Sequence, residues 1–231
     1  MKKDLGIKPY IMPMPVLIIG TYNEDGSADA MNAAWGTLSE MNTVALYLSA
    51  GHKTVDNIRA KKAFTVAIAD EANMIPADYV GLVSAHTEKK KIEKSGFTVT
   101  KSARVDAPVI EELPLTIECQ LDYIDEKSGC VYGRVVNVLA DEKVLDESGN
   151  VDLKKLNPVS YDPASRSYFT MGEKVGKAFS IGAKLKKDYA YKNFRKRFTG
   201  LGSRLRLYGN IPRLRRADGK GLGNQTVAQR F

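Results

Sequence analysis

At 231 residues with 43% hydrophobic content, the chain is long enough to bury one sizeable core, which excludes disorder throughout and fits a single globular domain with an appendage. The net charge of +8 would point to nucleic acid or an anionic surface if it were spread evenly, but residues 186–231 hold 13 Lys or Arg against Asp188 and Asp218, a balance of +11 that leaves −3 for residues 1–185. No apolar run reaches the roughly 18 residues of a membrane-spanning helix, and two cysteines make no disulfide framework, so a soluble protein of a reducing cytoplasm is expected, with no membrane partner.

The start, MKKDLGIKPYIMPMPVLIIG, has the look of a signal peptide, but Pro13 and Pro15 interrupt its apolar run and TYNEDGS follows in place of a cleavage site. Val16 to Tyr22 reads as a strand that ends at Asn23 to Ser27, where Asp25-Gly26 supplies the positive φ of a tight hairpin. Ala28 to Trp35 is the returning strand and Thr43 to Ser49 a third. Gly51 to Thr54 then breaks the pattern, and Val55, Ile58 and Ala63 recur at helical spacing. Ala63 to Ala69 is another strand, and Tyr79 to Phe97 reads as mostly helical, with Glu88 to Lys94 as a charged outer patch. Leu115 to Ile124 and Cys130 to Ala140 are long strands joined by the polar turn Asp125 to Gly129.

About six strands, few helices and hairpin connections give a mainly β fold with a few helices, a closed or partly closed antiparallel β-barrel with helices on its ends. Leu145 to Gly176, with Pro158 and Pro163, carries loop signals and is expected to cover one side of the barrel. After Lys186 the sequence turns basic and glycine-rich, so residues 1–185 are read as the domain and 186–231 as a basic C-terminal tail of disordered composition.

Several chemistries find no support. There is no phosphate-binding Gly-x-x-x-x-Gly-Lys-Ser/Thr loop, no dinucleotide glycine fingerprint and no Gly-x-Ser-x-Gly elbow. His52 and His86 alone, with no paired cysteines, are too few for a zinc site. Cys119 follows Ile117 and Glu118 in strand alternation and lacks a resolving partner, which makes it a buried structural thiol. An organic cofactor, for which the protein supplies binding and orientation, is the better reading.

Three stretches carry it. They are Asp29-Ala30-Met31-Asn32-Ala33-Ala34-Trp35; Ser49 to Ile58, reading SAGHKTVDNI; and Tyr79-Val80-Gly81 with Ser84, followed by Lys91 to Phe97, reading KIEKSGF. In order and spacing, over about residues 10–185, they resemble the flavin reductase-like family of flavoredoxin type. The resemblance implies an antiparallel FMN-binding split β-barrel in which the first stretch runs along the isoalloxazine ring of flavin mononucleotide (FMN), the second receives its phosphate and Lys91 contacts the flavin.

The residues suit those roles on their own chemistry. Small side chains at Ala30, Ala33 and Ala34 let a flat ring approach a strand, and Asn32 offers donor and acceptor. Lys53 brings charge and Thr54 a hydroxyl, and a helix starting near Thr54 aims free N–H groups at an anion. The plainer alternatives are a strand with a buried Asn and a core Trp35, a Thr54 that caps a helix beside a solvated Lys53, and a Lys89 to Lys94 run that is a solvated helix face. The cofactor-binding set is then Asn32, Ala33, Ala34, Trp35, Ser49, His52, Lys53, Thr54, Asn57 and Lys91, with no catalytic side chain and no metal ligand. Where the family often has a His on the second hairpin, Ser128 stands here, which withdraws a flavin contact from that turn. Tyr161 and Tyr168 lie where the family places an aromatic near the cofactor, or are simply packed.

By the same resemblance the protein is an oxidoreductase that reduces flavin with NADH or NADPH, a homodimer with each flavin near the subunit interface. A second reading is an electron carrier without turnover of its own, serving an acidic or redox protein partner. A third makes the basic tail, with Tyr191, Phe194 and Phe198 among its cations, a nucleic-acid-binding module; the −3 balance of residues 1–185 speaks against it.

Overall fold

The structure, a computed structural model, describes residues 1–183 and 185–186; apart from Lys186 the basic tail lies outside the described residues. All strands and cavities below belong to one compact unit, Met1–Glu173, and a second unit begins at Lys174.

The Asp25-Gly26 turn forms as its chemistry demands: Gly26 takes φ +84°, and Asp25 Oδ1 accepts from the Ser27 backbone N–H at 2.9 Å. It joins β2 (Leu17–Tyr22) to β3 (Ala28–Ala33), paired antiparallel from Leu17 opposite Ala33 to Tyr22 opposite Ala28; a two-residue β1 (Met14–Pro15) precedes them. The strand expected to reach Trp35 ends at Ala33, and a further one, β4 (Gly36–Glu40), starts after two residues and turns back into β5 (Thr43–Tyr47). Next come α1 (Lys53–Lys61) and β6 (Ala63–Ile68), then α2 (Met74–Leu82), α3 (Lys91–Ser95) and the short hairpin β7 (Val99–Lys101) with β8 (Pro108–Ile110). The long hairpin β9 (Leu115–Asp125) and β10 (Cys130–Ala140) follows, with α4 (Leu153–Leu156), β11 (Val159–Asp162) and β12 (Ser167–Thr170) last.

Seven strands make one antiparallel sheet in the order β3-β2-β6-β9-β10-β5-β4. Its two edge strands are neighbours in the chain, separated by Ala34 and Trp35 alone. Three virtual bonds span about 11 Å at most, so the sheet must curl until its edges nearly meet, which gives the half-barrel and its split. Bulges in the β9–β10 ladder near Gly133 and Val136 add curvature. At Gly133 a Cβ would fall on the Phe64 ring, so only glycine lets that ring fill the barrel there.

Strand β2 starts with an unbroken apolar run, Leu17 to Ile19, because both of its faces are buried there. Leu17 and Ile19 join Val44, Leu46, Phe64, Val66 and Val131 with Val55 and Ile58 of α1, while Val16 and Ile18 join Ala67 and Ala69 with Ala77 and Val80 of α2. Each of the buried Val, Leu, Ile and Phe side chains contributes about 1.5–3 kcal/mol by leaving water, which fastens α1 and α2 to the sheet beside the split.

Two regions depart from the sequence reading. Residues 79–97 are not one helix: α2 starts earlier, at Met74, where Asp70 Oδ1 accepts from Asn73 N at 3.0 Å, and it ends at Leu82. Ser84 then captures the chain, its carbonyl accepting from Thr87 N (3.0 Å) and Glu88 N (2.8 Å) and its hydroxyl from His86 N (3.2 Å), a local network that competes with helix continuation. The segment from Leu145 holds more regular structure than its loop signals suggest, since β11 pairs with both β1 and β12 in a three-stranded sheet.

Candidate functional site

Beside the link between the sheet's edges lies a cavity of about 480 Å³. Its floor is the end of β3 and the start of the link, Asn32, Ala33 and Ala34, and Trp35 rises from the link as a wall; Ser49 and His52 close one end, and α2 forms another wall. The α2 wall comes close because Gly81 carries no side chain: a Cβ there would stand 2.8 Å from the Cβ of Asn32. Asn32 Nδ2 donates to the Ala77 carbonyl at 3.1 Å, which turns the amide's donor toward α2 and leaves Oδ1 as an acceptor.

Tyr161 and Tyr168 complete the lining with Trp35. Ring centroids of Trp35 and Tyr161 are 6.5 Å apart and those of Tyr161 and Tyr168 6.0 Å, both tilted, as aromatic pairs prefer. Trp35 is 53% exposed and so is a wall residue rather than part of the core. The Tyr168 hydroxyl donates to Asp78 Oδ1 at 2.7 Å. Burial first, and then that hydrogen bond and the charge of Asp78, hold the phenol well above its ordinary pKa, so it stays a neutral donor.

A second cavity of about 220 Å³ continues from the first, sharing Met31, Asn32, His52, Gly81 and Leu82 and adding Asp29, Lys53, Thr54, Ser84 and Lys91. Helix α1 opens onto it. His52 is the N-cap, in extended conformation, and its side chain makes no capping bond. Among the described residues the Lys53 and Thr54 backbone N–H groups have no acceptor, so the positive end of the helix is open.

The structure separates the sequence-predicted residues into three groups. Asn32, Ala33, Ala34, Trp35, Ser49 and His52 line the larger cavity, and Lys53, Thr54 and Lys91 the smaller. Thr54 is not a cap: it lies inside α1, buried, and its hydroxyl donates to Asp29 Oδ2 at 3.2 Å. Lys91 is not on a solvated face either, being 4% exposed with Nζ 3.1 Å from Asp29 Oδ1. Asn57 lines neither cavity. Its Nδ2 donates to Thr21 Oγ1 (3.1 Å) and Asn23 Oδ1 (2.9 Å), pinning α1 to the β2–β3 turn.

Ser128 builds its own turn, donating to Asp125 Oδ2 at 2.6 Å and accepting from Cys130 N at 3.3 Å, and it lines neither cavity. Cys119 is buried, and burial, reinforced by Glu118, pushes its thiol up to about 12. Sequence reasoning missed Asp78, Tyr47, Leu48 and Leu82. The available signal was position: Asp78 directly precedes the Tyr79 stretch, and Tyr47 ends β5 with Leu48 linking it to Ser49.

Comparison with known proteins agrees with this architecture. A family model described as a flavin reductase like domain matches residues 10–163. The structure of flavoredoxin of Desulfovibrio vulgaris (Miyazaki F) aligns with a TM-score of 0.76 at 35% identity, covering 79% of this chain and 100% of that one. Flavoredoxin from Methanosarcina acetivorans aligns with a TM-score of 0.71 at 26% identity, over 80% of this chain and 100% of that one. An uncharacterized protein of Bacillus subtilis (strain 168), YdfE, is 26% identical over 196 residues, 75% of this chain and 92% of that protein.

Proposed function

The chain belongs to the flavin reductase-like family, and from that premise we propose that it binds FMN along β3 and passes reducing equivalents from NADH or NADPH through it. The observation that carries this reading is a pair of continuous cavities of opposite character on one strand. The larger is walled by aromatic rings over a floor of small side chains, and the smaller is served by Lys53, Lys91 and the open start of α1. A flat, largely apolar ring bearing a phosphate arm needs that combination, and the larger cavity lies within the roughly 300–1,000 Å³ of small-molecule sites.

The donor set fits the group. Ala33 and Ala34 leave room for a ring, Asn32 Oδ1 is free to accept from its N–H edge, and Trp35, Tyr161 and Tyr168 exclude water around it. Lys53 and the first N–H groups of α1 hold the phosphate. Bound FMN supplies the hydride acceptor and donor, and the protein's part is to orient and shield, so no acid or base side chain is assigned. The test is the absorption spectrum of the purified protein before and after FMN is added. Flavin bands that shift on binding support the reading; an unchanged free-flavin spectrum overturns it.

The 35% identity to a flavoredoxin favours a second reading, an FMN electron carrier that turns over only with a protein partner. Oxidation of NADH or NADPH in the presence of added free flavin separates the two: sustained turnover identifies a reductase, and its absence in an FMN-loaded protein identifies a carrier.

A further inference from the structure

We propose that Asp29 is a positioning residue that sets how strongly this site prefers a phosphorylated flavin over an unphosphorylated one; the proposal deepens the FMN reading and rests on it. Asp29 stands on β3 with its side chain 1% exposed, and its two carboxylate oxygens are taken by residues from two different elements: Oδ1 by Lys91 Nζ of α3 at 3.1 Å and Oδ2 by Thr54 Oγ1 of α1 at 3.2 Å. All three residues line the smaller cavity.

The proton count decides what each can still offer. Thr54 has one hydroxyl hydrogen, and Asp29 holds it, so the side chain keeps no donor for an arriving anion. Lys91 has three ammonium hydrogens, of which Asp29 holds one and leaves two. The carboxylate also cancels the charge of Lys91, so the cavity without ligand does not bury an unpaired cation. A phosphate that reaches the cavity must therefore share Lys91 with Asp29. Asp29 fixes the ammonium in place and, by competing for it, moderates the phosphate's hold.

Asp29→Asn keeps the shape and one acceptor oxygen but removes the competing charge, leaving Lys91 buried and in need of an anion that a phosphate can supply and riboflavin cannot. The experiment titrates FMN and riboflavin against wild type and variant by flavin fluorescence and follows melting with each ligand. The expected result is a lower melting temperature for the ligand-free variant, a larger melting shift with FMN than wild type shows, an unchanged shift with riboflavin, and an FMN-to-riboflavin affinity ratio raised by about tenfold. If both ligands change together, or neither changes, Asp29 is merely structural and the proposal is overturned while FMN binding by wild type stands. If wild type itself does not prefer FMN to riboflavin, the phosphate reading fails and the proposal falls with it.

Should Asp29→Asn alone not fold, the double variant Asp29→Asn/Lys91→Met removes both buried charges together. Its affinity ratio is expected to drop below that of wild type by about tenfold, since the two free donors of Lys91 are gone. An unchanged ratio overturns the proposal.

Discussion

Lys53 and Lys91 line one cavity in opposite ways, Lys53 at the open start of α1 and Lys91 held against a buried carboxylate. Lys53→Ala is expected to weaken FMN roughly 10- to 150-fold, the worth of a charge-assisted hydrogen bond of about 1.5–3 kcal/mol, and to leave riboflavin nearly unchanged; equal weakening in parallel titrations would remove the phosphate from this loop. A second prediction concerns Cys119. Its thiol sits at about 12 in the folded protein against 9.0 for an unperturbed thiol, so a folded-state value raised in this way contributes stability that is complete below pH 9 and lost as pH climbs toward 12. Urea unfolding between pH 8 and 11 should show wild type losing up to about 1.4 kcal/mol per pH unit more than Cys119→Ala. That the small-residue run around Asn32 lines a cavity was legible in the sequence, because small side chains gathered in one place leave room beside a strand. The burial of Lys91 was not, because its partner lies 62 residues earlier and a run of lysines otherwise signals solvent.

Among the elements, strands with an apolar face declared themselves: β2, β5, β6 and the β9–β10 hairpin all stand where alternation and turn residues put them. Strand β4 was silent because it is mostly exposed and Leu38 is its only large apolar residue, so its pairing comes from β5 rather than from its own pattern. The supposed helix over 79–97 failed for a local reason, Ser84, that a periodicity count does not weigh. The central hairpin offers a sharp check on packing. Gly133→Ala pushes a methyl into the Phe64 ring, and overpacking of this kind typically costs about 1–3 kcal/mol. The urea midpoint should fall accordingly with an unchanged m-value; a neutral result would mean that Phe64 can move aside and that the barrel interior is looser than its contacts imply.

For the whole molecule, Trp35, Tyr47 and Leu82 line the larger cavity and yet are half or more exposed, which leaves an apolar rim around its mouth. A homodimer that covers this rim is expected, and light scattering at micromolar concentration should report twice the chain mass; a monomer with FMN bound would refute it. A chain ending at Leu185 is expected to bind FMN as the full chain does, because among the described residues those that line the two cavities all precede it; loss of binding on truncation would move the domain boundary toward the C-terminus. The split itself has a further consequence. Among the described residues each edge strand of the curled sheet has a hydrogen-bonded neighbour on one side only, and the covalent stitch between them is two residues long. A ligand wedged beside that stitch acts as a keystone, adding its binding energy to the barrel by mass action at the place where the backbone adds none. Without the keystone that contribution is lost, so the flavin-free chain is expected to melt below the FMN-loaded one in a thermal scan, and an equal melting temperature would deny the split any share of the ligand's binding energy.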